Sequence, residues 1–335
     1  MRIENLSIYR NQIYGISIIW IMLFHGKILP YVHLEKISPF ISDFLSYGNV
    51  GVDIFLYLSG ISCFYAFYKR EDYDLFLCRR MLRVLPPYLI WGGICWFIID
   101  IISGKSFKRF LLDLSLYSFW KEGEELFWYV AIIILLYMLY PLIYYSLFKN
   151  GKLYWESFFL WMATTFTFNA YLKNFESEIY ENIEIATCRI PVFLCGCLSG
   201  YYVYFKKNLS YSFYILCAIF ALGSYYICNN EYLPILGFRY TYLIIGISLC
   251  IVFAFLLSIV PFKTIHNILK FFGDISLELY IVHIALRYFF MHSAYYVKNC
   301  FTEYLFLLII SVVVAFILSK VSTKIKNIFE RLVSL

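Results

Sequence analysis

Residues 14–26 read YGISIIWIMLFHG, an apolar run that decides the fold class of this chain. No Lys, Arg, Asp or Glu stands between Arg10 and Lys27, and a helix of about 20 apolar residues is long enough to cross a bilayer. Hydrophobic residues make up 62% of the 335-residue chain and charged residues 15%, with a mean hydropathy of +0.73. Because soluble globular proteins are less apolar, this composition predicts an all-α, polytopic membrane helix bundle.

About ten apolar runs are long enough to be transmembrane helices. They cover residues 10–29, 48–68, 84–103, 126–147, 153–171, 187–205, 211–229, 239–260, 270–292 and 303–323. No linker, low-complexity stretch or change in composition divides the chain. The sequence therefore predicts a single integral-membrane domain over residues 1–335, with about ten transmembrane helices.

Charged residues predict the orientation of this bundle. Lys and Arg are enriched in the cytoplasmic segments of membrane proteins, and with a cytoplasmic N-terminus they concentrate at the predicted inner ends. The predicted outer segments are acidic: Glu122, Glu124 and Glu125 in one, and Glu176, Glu178, Glu181 and Glu184 in another. An even number of spans then places both termini in the cytoplasm. The net charge of +6 comes from scattered residues, so membrane lipid is an expected partner and nucleic acid is not.

His25 is an ionisable side chain in the outer half of the first predicted span. Polar groups inside a bilayer are costly, so they tend to face a cavity or a partner. One interpretation is a histidine that reaches the outer interface; the other is a general base, because imidazole accepts a proton near neutral pH. Asp53 begins the second span at a similar predicted depth. We predict that it orients the His25 ring as a triad carboxylate does, the alternative being an aspartate at a helix start that faces solvent.

The basic segment around residues 79–88, RRMLRVLPPY, precedes the third predicted span. Arg80 and Arg83 are three residues apart and share one side of a helix. Anchoring to anionic lipid at the inner surface explains these charges. A clamp for the phosphates of a nucleotide-containing donor explains them as well, because guanidinium groups match phosphate oxygens. The spacing alone leaves both interpretations open.

Two further segments carry polar residues at predicted span positions. His283 lies within GDISLELYIVHIALR, together with Asp274, Glu278 and Arg287. These residues favour either the lining of a cavity, in which Glu278 and His283 are predicted to bind the acceptor substrate, or a buried structural network. Glu125, Trp128 and Tyr129 mark the outer end of the fourth span. Aromatic rings beside carboxylates are common in sugar sites, although an interfacial aromatic belt also produces them.

Several kinds of site are not indicated by the sequence. It has no P-loop, GxGxxG or GxSxG element, and its ten cysteines form no CxxC or Cys/His ligand spacing. No metal site is therefore predicted. Soluble nucleotide-binding and serine-hydrolase functions lose support for the same reason.

Six segments together resemble the membrane acyltransferase-3 family, which O-acylates cell-surface carbohydrates in bacteria. They are GISIIWIMLFH (15–25), GVDIFLYLSG (51–60), RRMLRVLPPYLIW (79–91), LFWYVAIIILLYMLYPLI (126–143), RIPVFLCGCLSG (189–200) and FGDISLELYIVH (272–283). They stand in the order of the family and span nearly the whole chain.

This resemblance implies a multi-pass protein of the bacterial cytoplasmic membrane that uses cytoplasmic acyl-CoA, with acetyl-CoA as the expected donor, and a carbohydrate acceptor. It implies an essential histidine at His25 and an Arg-x-x-Arg element at Arg80 and Arg83. Many members carry a basic residue eleven positions before the histidine, where this chain has Tyr14. Arg10, one helical turn earlier, is the expected substitute in the donor site.

Two other functions use similar features. A transporter or flippase for a lipid-linked glycan needs the same charged lining but makes no bond; a repeated half-structure would favour it, and the sequence shows none. A polysaccharide polymerase usually needs a large outer loop with basic residues, whereas the predicted outer loops are short and acidic.

Overall fold

The computed structural model describes residues 3–25, 39–149, 152–206, 238–292 and 301–332, together with 215, 219 and 223. Apart from a two-stranded antiparallel hairpin of β1 (Phe148–Lys149) and β2 (Lys152–Leu153), the regular elements of this part are helices. The predicted all-α class is confirmed. Helices suit an apolar chain because every backbone hydrogen bond is made within the segment.

The described residues up to Lys149 form eight α-helices. They are α1 (Asn5–Ile8), α2 (Arg10–His25), α3 (Pro39–Ser46), α4 (Val50–Lys69), α5 (Tyr73–Ile102), α6 (Phe107–Leu114), α7 (Tyr117–Glu122) and α8 (Trp128–Leu147), with a 3-10 turn at Glu125–Phe127 before α8. The second half contains α9 (Trp155–Phe175), α10 (Ser177–Thr187), α11 (Ile190–Tyr204), α12 (Phe238–Ile259), α13 (Lys263–Asp274), α14 (Ser276–Met291) and α15 (Phe301–Leu332).

Six helical segments of the described part are long and apolar enough to cross a membrane. They are Val50–Lys69, Tyr73–Ile102, Glu125–Leu147, Ser177–Tyr204, Arg239–Ile259 and Glu303–Arg331. Each corresponds to a predicted span. The total of ten and the cytoplasmic location of both termini stay predictions, and the predicted span 211–229 lies almost wholly outside the described residues.

The third predicted span begins earlier than expected. The sequence placed its start at residue 84, but the helix begins at Tyr73, and Pro86 and Pro87 lie inside it. Proline lacks the backbone N–H and its ring crowds the carbonyl one turn earlier, which disturbs a helix without always ending it. Here α5 continues beyond the prolines through π-helical turns at Tyr88–Gly92 and Phe97–Ile102. Arg80 and Arg83 are therefore residues of the helix itself.

The predicted span 270–292 is interrupted. One helix, α13, ends at Asp274 and the next, α14, begins at Ser276, so Glu278 and His283 share a helix that Asp274 does not belong to. The described chain also divides into two compact units, and three of its helices continue from one unit into the other. The prediction of a single domain stays a prediction.

The first unit comprises Met1–Ser17, Val50–Phe76 and Leu135–Asp274. Its core is the interface of α4 with α11, where glycine allows the two backbones to approach closely. A Cβ atom at Gly196 would lie 2.1 Å from the backbone oxygen of Tyr57, and one at Gly60 would lie 2.4 Å from that of Phe193. These two positions have no room for a larger residue.

The second unit comprises Ile18–Asn49, Leu77–Ile134 and Ile275–Leu335. Its packing is centred on α14, which contacts α15, the first π-helical turn of α5 and the 3-10 turn before α8. Aromatic rings fill the spaces between its helices, as where Trp20 stacks on Phe44 with ring centroids 4.4 Å apart and donates Nε1–H to the Phe44 carbonyl. This unit contains most of the residues singled out by sequence.

Candidate active site

Helix α14 brings three buried side chains of the second unit into contact with three other helical segments. Glu278 and Tyr280 are 0% and 1% exposed, and His283 is 4% exposed. A buried polar residue is costly unless it has a partner. Glu278 and His283 each have a hydrogen-bonded partner within this unit, and the ring of Tyr280 packs against that of Tyr129; together these contacts define the candidate site.

His283 is hydrogen-bonded to His25 at the C-terminal end of α2. The Nδ1 atom of His25 lies 3.0 Å from Nε2 of His283, and the two ring centroids are 5.3 Å apart. The other ring nitrogen of His283, Nδ1, lies 2.7 Å from the carbonyl oxygen of Leu279, one helical turn earlier. The two imidazoles therefore form a chain that starts at a backbone carbonyl.

This chain assigns the protons on both rings. The Leu279 carbonyl accepts only, so Nδ1 of His283 carries a hydrogen and donates it. A neutral ring is the form that a buried apolar position accommodates at least cost, and in that form Nε2 of His283 is an acceptor. The hydrogen bond then requires Nδ1–H on His25. The remaining nitrogen of His25, Nε2, is left with a lone pair, which is the state a general base needs.

Tyr280 extends the cluster toward α8. Its ring centroid lies 5.8 Å from that of His283 and 5.1 Å from that of Tyr129, both in edge-to-face geometry. Trp128 is the next ring, 6.3 Å from Tyr129. The structure thus brings Trp128 and Tyr129 to the aromatic side of the histidine pair, where both are buried, whereas Glu125 is exposed on the 3-10 turn.

Arg83 of α5 is paired with Glu278 of α14. Its Nη1 lies 2.7 Å from Oε1 and its Nη2 lies 3.3 Å from Oε2, so both carboxylate oxygens are engaged. The Glu278 side chain is fully buried, and the Arg83 side chain is 40% exposed. The sequence placed these residues in separate donor and acceptor sites; the structure joins them in one ion pair. Arg80, one turn before Arg83, is half-buried on α5.

The comparison with protein families agrees with these features. A family model described as an acyltransferase domain matches residues 11–320, which includes every residue of the histidine chain and of the ion pair. The chain belongs to the acyltransferase-3 family. Together with the family, the six helices of its described part that are long and apolar enough to cross a membrane indicate a membrane protein. Neither the curated proteins nor the solved structures contain a match to it.

Asp53 has a different described partner from the one predicted for it. In the first unit its carboxylate accepts a hydrogen bond from Nε of Arg189 at 3.3 Å, and both side chains are buried, at 0% and 2% exposure. Arg189 also donates to the Ile185 carbonyl at 2.5 Å. Because Asp53 and His25 belong to different units, the pairing of Asp53 with His25 stays a prediction. The ring of His25 has His283 as its described partner.

Arg10 and Tyr14 of α2 both contact α4 in the first unit. Nη1 of Arg10 donates to Oγ of Ser62 at 3.1 Å, and the Tyr14 hydroxyl lies 3.4 Å from Oγ of Ser59. The two side chains, one helical turn apart, thus meet serines on one neighbouring helix. The expectation that Arg10 replaces the basic residue missing at Tyr14 in donor binding stays a prediction.

A second group of charges lies near α6, outside the six apolar segments. Arg109 donates to Asp113 at 2.7 Å and also pairs with Glu122. Burial raises the pKa of Asp113, although hydrogen bonds from Ser118 and Arg109 oppose this effect. The hydrogen bond from Arg109 lowers the pKa of the exposed Glu122. Burial also raises the pKa of Glu124.

No group of three or more His, Cys, Asp or Glu residues with metal-binding geometry occurs among the described residues. The candidate site described above consists of imidazole, guanidinium, carboxylate and phenol groups.

Sequence reasoning identified the important residue types but missed three of the partnerships, one of them the Arg83–Glu278 pair. It placed His25 and His283 on different helices with unrelated roles, and it did not single out Arg189 as the partner of Asp53. The available signal was the presence of Glu278 and His283 five residues apart in one apolar run. Two ionisable residues so close within a span need two partners, and the remaining candidates were few.

Proposed function

We propose that this protein is an O-acyltransferase of the bacterial cytoplasmic membrane, with both termini in the cytoplasm. It transfers an acyl group, acetyl in the first instance, from cytoplasmic acyl-CoA to a hydroxyl of a cell-envelope or exported glycan. The single observation that carries this proposal is the hydrogen-bond chain from Leu279 through His283 to His25. It supports a role for His25 as the base, because one imidazole nitrogen keeps its lone pair.

In the proposed reaction, Nε2 of His25 takes the proton from the acceptor hydroxyl. The hydroxyl oxygen attacks the thioester carbonyl carbon, a new C–O bond forms, and the C–S bond breaks. The CoA thiolate leaves and receives the proton from Nε2 of His25, which returns the ring to its starting state. Throughout, Nδ1–H of His25 stays hydrogen-bonded to His283, which fixes the tautomer and orients the ring as the aspartate does in a serine protease triad. In this proposal His283 has the orienting role, and the pairing of Asp53 with His25 stays a prediction.

Arg80 is the proposed ligand for the donor phosphates. It belongs to the basic segment of α5, and a guanidinium group binds phosphate oxygens through paired hydrogen bonds. Arg83 shares that segment, but its charge is balanced by Glu278. The acyl end of the donor then extends along the second unit toward His25.

The acceptor is proposed to approach from the side of the 3-10 turn at Glu125–Phe127. Glu125 is exposed there and can accept hydrogen bonds from sugar hydroxyls. Trp128 and Tyr129 are buried behind it and connect this turn to Tyr280 and the histidine pair. Their proposed role is to form the apolar wall of the site.

The test compares His25→Ala with His266→Ala in cells that carry the full-length chain. His266 lies on α13 and its Nε2 is 3.0 Å from the Val260 carbonyl, so its replacement removes a histidine without touching the proposed site. The measurement is the mass of the cell-envelope glycans before and after mild alkaline treatment, which releases O-linked acyl groups. Membrane levels of each variant are measured by immunoblot.

We expect His25→Ala to abolish the acyl-sized mass increment and His266→Ala to retain it, at equal protein levels. A chain that only moves a lipid-linked glycan would instead give less exported glycan with an unchanged acyl content. Normal acylation by His25→Ala would refute the proposed function.

A further inference from the structure

The ion pair between Arg83 and Glu278 joins α5 to α14 close to the histidine chain. Glu278 precedes His283 by five residues in an uninterrupted helix, which corresponds to about 7–8 Å along the axis. Between these two positions Tyr280 packs on Tyr129. Any shift or rotation of α14 at Glu278 therefore moves the His283 ring as well.

The burial of the two side chains is unequal, and this difference bears on the role of Arg83. The Glu278 carboxylate is fully buried, and both its oxygens accept hydrogen bonds from Arg83. A buried carboxylate without a partner is strongly unfavourable, so the buried position of the Glu278 side chain depends on its hydrogen bonds from Arg83. The pair as a whole has no net charge. It consequently offers little attraction to a phosphate group.

We infer that Arg83 is a positioning residue, which acts on the reaction through Glu278 and not by binding the phosphates of acyl-CoA. The bidentate pair fixes the axial and rotational position of α14. In this position Nε2 of His283 accepts the hydrogen bond from Nδ1–H of His25. The lone pair of His25 therefore stays on Nε2. The inference rests on the proposed function for its catalytic part and on the observed geometry for its structural part.

The size of the effect follows from the geometry of catalysis. A displacement of about 1 Å in a catalytic group lowers the rate about 100-fold. Loss of Arg83 should therefore reduce turnover without weakening donor binding. Arg80, one turn away on α5, serves as the contrasting residue because its proposed role is phosphate binding.

The experiment uses membrane vesicles that contain the full-length chain and the native glycan acceptor, with radiolabelled acetyl-CoA as the donor. Initial rates of label incorporation into the glycan are measured over a range of acetyl-CoA concentrations. The variants are Arg83→Ala, Glu278→Gln, the double variant, and the reversed pair Arg83→Glu with Glu278→Arg. Arg80→Ala is the donor-site comparison, and the exposed Arg79→Ala is the matched control.

We expect Arg83→Ala to lower kcat by about 10- to 100-fold and to leave the KM for acetyl-CoA within about twofold. Arg80→Ala should raise KM and preserve kcat, and Arg79→Ala should change neither. Glu278→Gln combined with Arg83→Ala should be no slower than Arg83→Ala alone, because the carboxamide removes the uncompensated charge. The reversed pair should recover part of the activity if it folds.

Thermal melting of the purified variants provides a second measurement that does not depend on turnover. The melting temperature of the double variant should lie at or above that of Arg83→Ala, since each single change leaves a partner unsatisfied. A large rise in KM for Arg83→Ala with unchanged kcat would overturn the inference and make Arg83 a phosphate ligand. The inference would also be overturned if the double variant lost as much melting temperature as Arg83→Ala and Glu278→Gln lose together. Absence of acetyl transfer by the unmodified protein would refute the proposed function, and the melting series would still decide the structural part.

Discussion

The two units each bury a carboxylate against an arginine, but they do so in different surroundings. In the first unit both members are inaccessible, with Arg189 2% and Asp53 0% exposed. In the second unit Glu278 is equally buried, whereas 40% of the Arg83 side chain is exposed. A pair closed on both sides holds helices together. A pair with one exposed side chain is not enclosed in this way.

The packing explains this difference. In the first unit α4 and α11 approach so closely at Gly60 and Gly196 that nothing can enter between them. In the second unit the helices around α14 are separated by rings such as Tyr129 and Tyr280. Close glycine contacts give rigidity, and aromatic spacers leave room for polar groups such as the histidine pair. We therefore assign stability to the Asp53–Arg189 pair of the first unit and propose a chemical role for the histidine pair of the second.

The largest effect is expected from His283. His283→Ala removes the acceptor for Nδ1–H of His25, so both tautomers of His25 become available and the ring loses its orientation. We expect acyl transfer to fall by about 100- to 10,000-fold, with the amount of folded protein unchanged. The measurement is radiolabel transfer from acetyl-CoA in membrane vesicles, normalised to protein.

His283→Gln is the matched variant, because a carboxamide oxygen can still accept the hydrogen bond from His25. It should retain more activity than His283→Ala. Full activity in His283→Ala would remove the chemical role assigned to the second unit.

The next effect concerns the closed pair of the first unit. Arg189→Met leaves the Asp53 carboxylate buried without its partner, which should cost about 3–5 kcal/mol in the free energy of unfolding. The loss should appear as less protein in the membrane, with unchanged transfer per folded molecule. Denaturation of the purified protein measures the first quantity and labelled acetyl transfer the second.

Asp53→Asn combined with Arg189→Met removes both charges and should recover part of the stability. A normal stability for Arg189→Met, or a loss of transfer per folded molecule, would contradict the structural assignment. The latter result would favour the predicted pairing of Asp53 with His25.

A smaller effect is expected at the glycine contact. In Gly196→Ala the new methyl group would lie 2.1 Å from the backbone oxygen of Tyr57, and a backbone cannot move aside as a side chain does. Overpacking of this kind costs about 1–3 kcal/mol. Gly93→Ala is the control, since its Cβ atom would meet only a leucine side-chain carbon at 3.9 Å. Equal melting temperatures for the two variants would show that α4 and α11 are less tightly packed than described.

Sequence reasoning predicted the helices best where length and apolarity alone decide. The expected span 48–68 became Val50–Lys69, and the expected span 239–260 became Arg239–Ile259 within α12. It misplaced the start of α5 because residues 73–83 are rich in charge and two prolines follow them. Apolarity locates the part of a helix that lies in lipid, but it does not locate a helix end that extends beyond it.

The candidate site was predicted as a set of residues and not as a geometry. Position along a span gives the depth of a side chain, which is why His25 and Asp53 were paired. It gives no information on the direction in which each side chain points around its helix. That direction depends on contacts between segments that are far apart in the sequence. The contact between α2 and α14 makes His283 the described partner of His25.

The smallest effect is expected for a buried and an exposed carboxylate that lie outside the apolar segments. Arg109 binds two carboxylates, of which Asp113 is 1% exposed and Glu122 41% exposed. Burial raises the pKa of Asp113, so its contribution to stability is present below the pKa of the unfolded chain and is lost as pH rises through the folded value. The Arg109 hydrogen bond lowers the pKa of Glu122, so its contribution is present at neutral pH and is lost as pH falls.

Asp113→Asn should therefore raise the melting temperature at pH 7 and lose this advantage toward pH 4. The asparagine keeps an oxygen for Arg109, and its N–H₂ group can donate to Asp100, which hydrogen-bonds the Asp113 carboxyl. Glu122→Gln should show the opposite sign, a slight loss at pH 7 that disappears in acid, because exposed ion pairs contribute little. Melting curves of both variants between pH 4 and pH 8 compare the two carboxylates on one arginine. If the melting temperatures of the two variants changed with pH in the same way, burial would not distinguish the roles of Asp113 and Glu122.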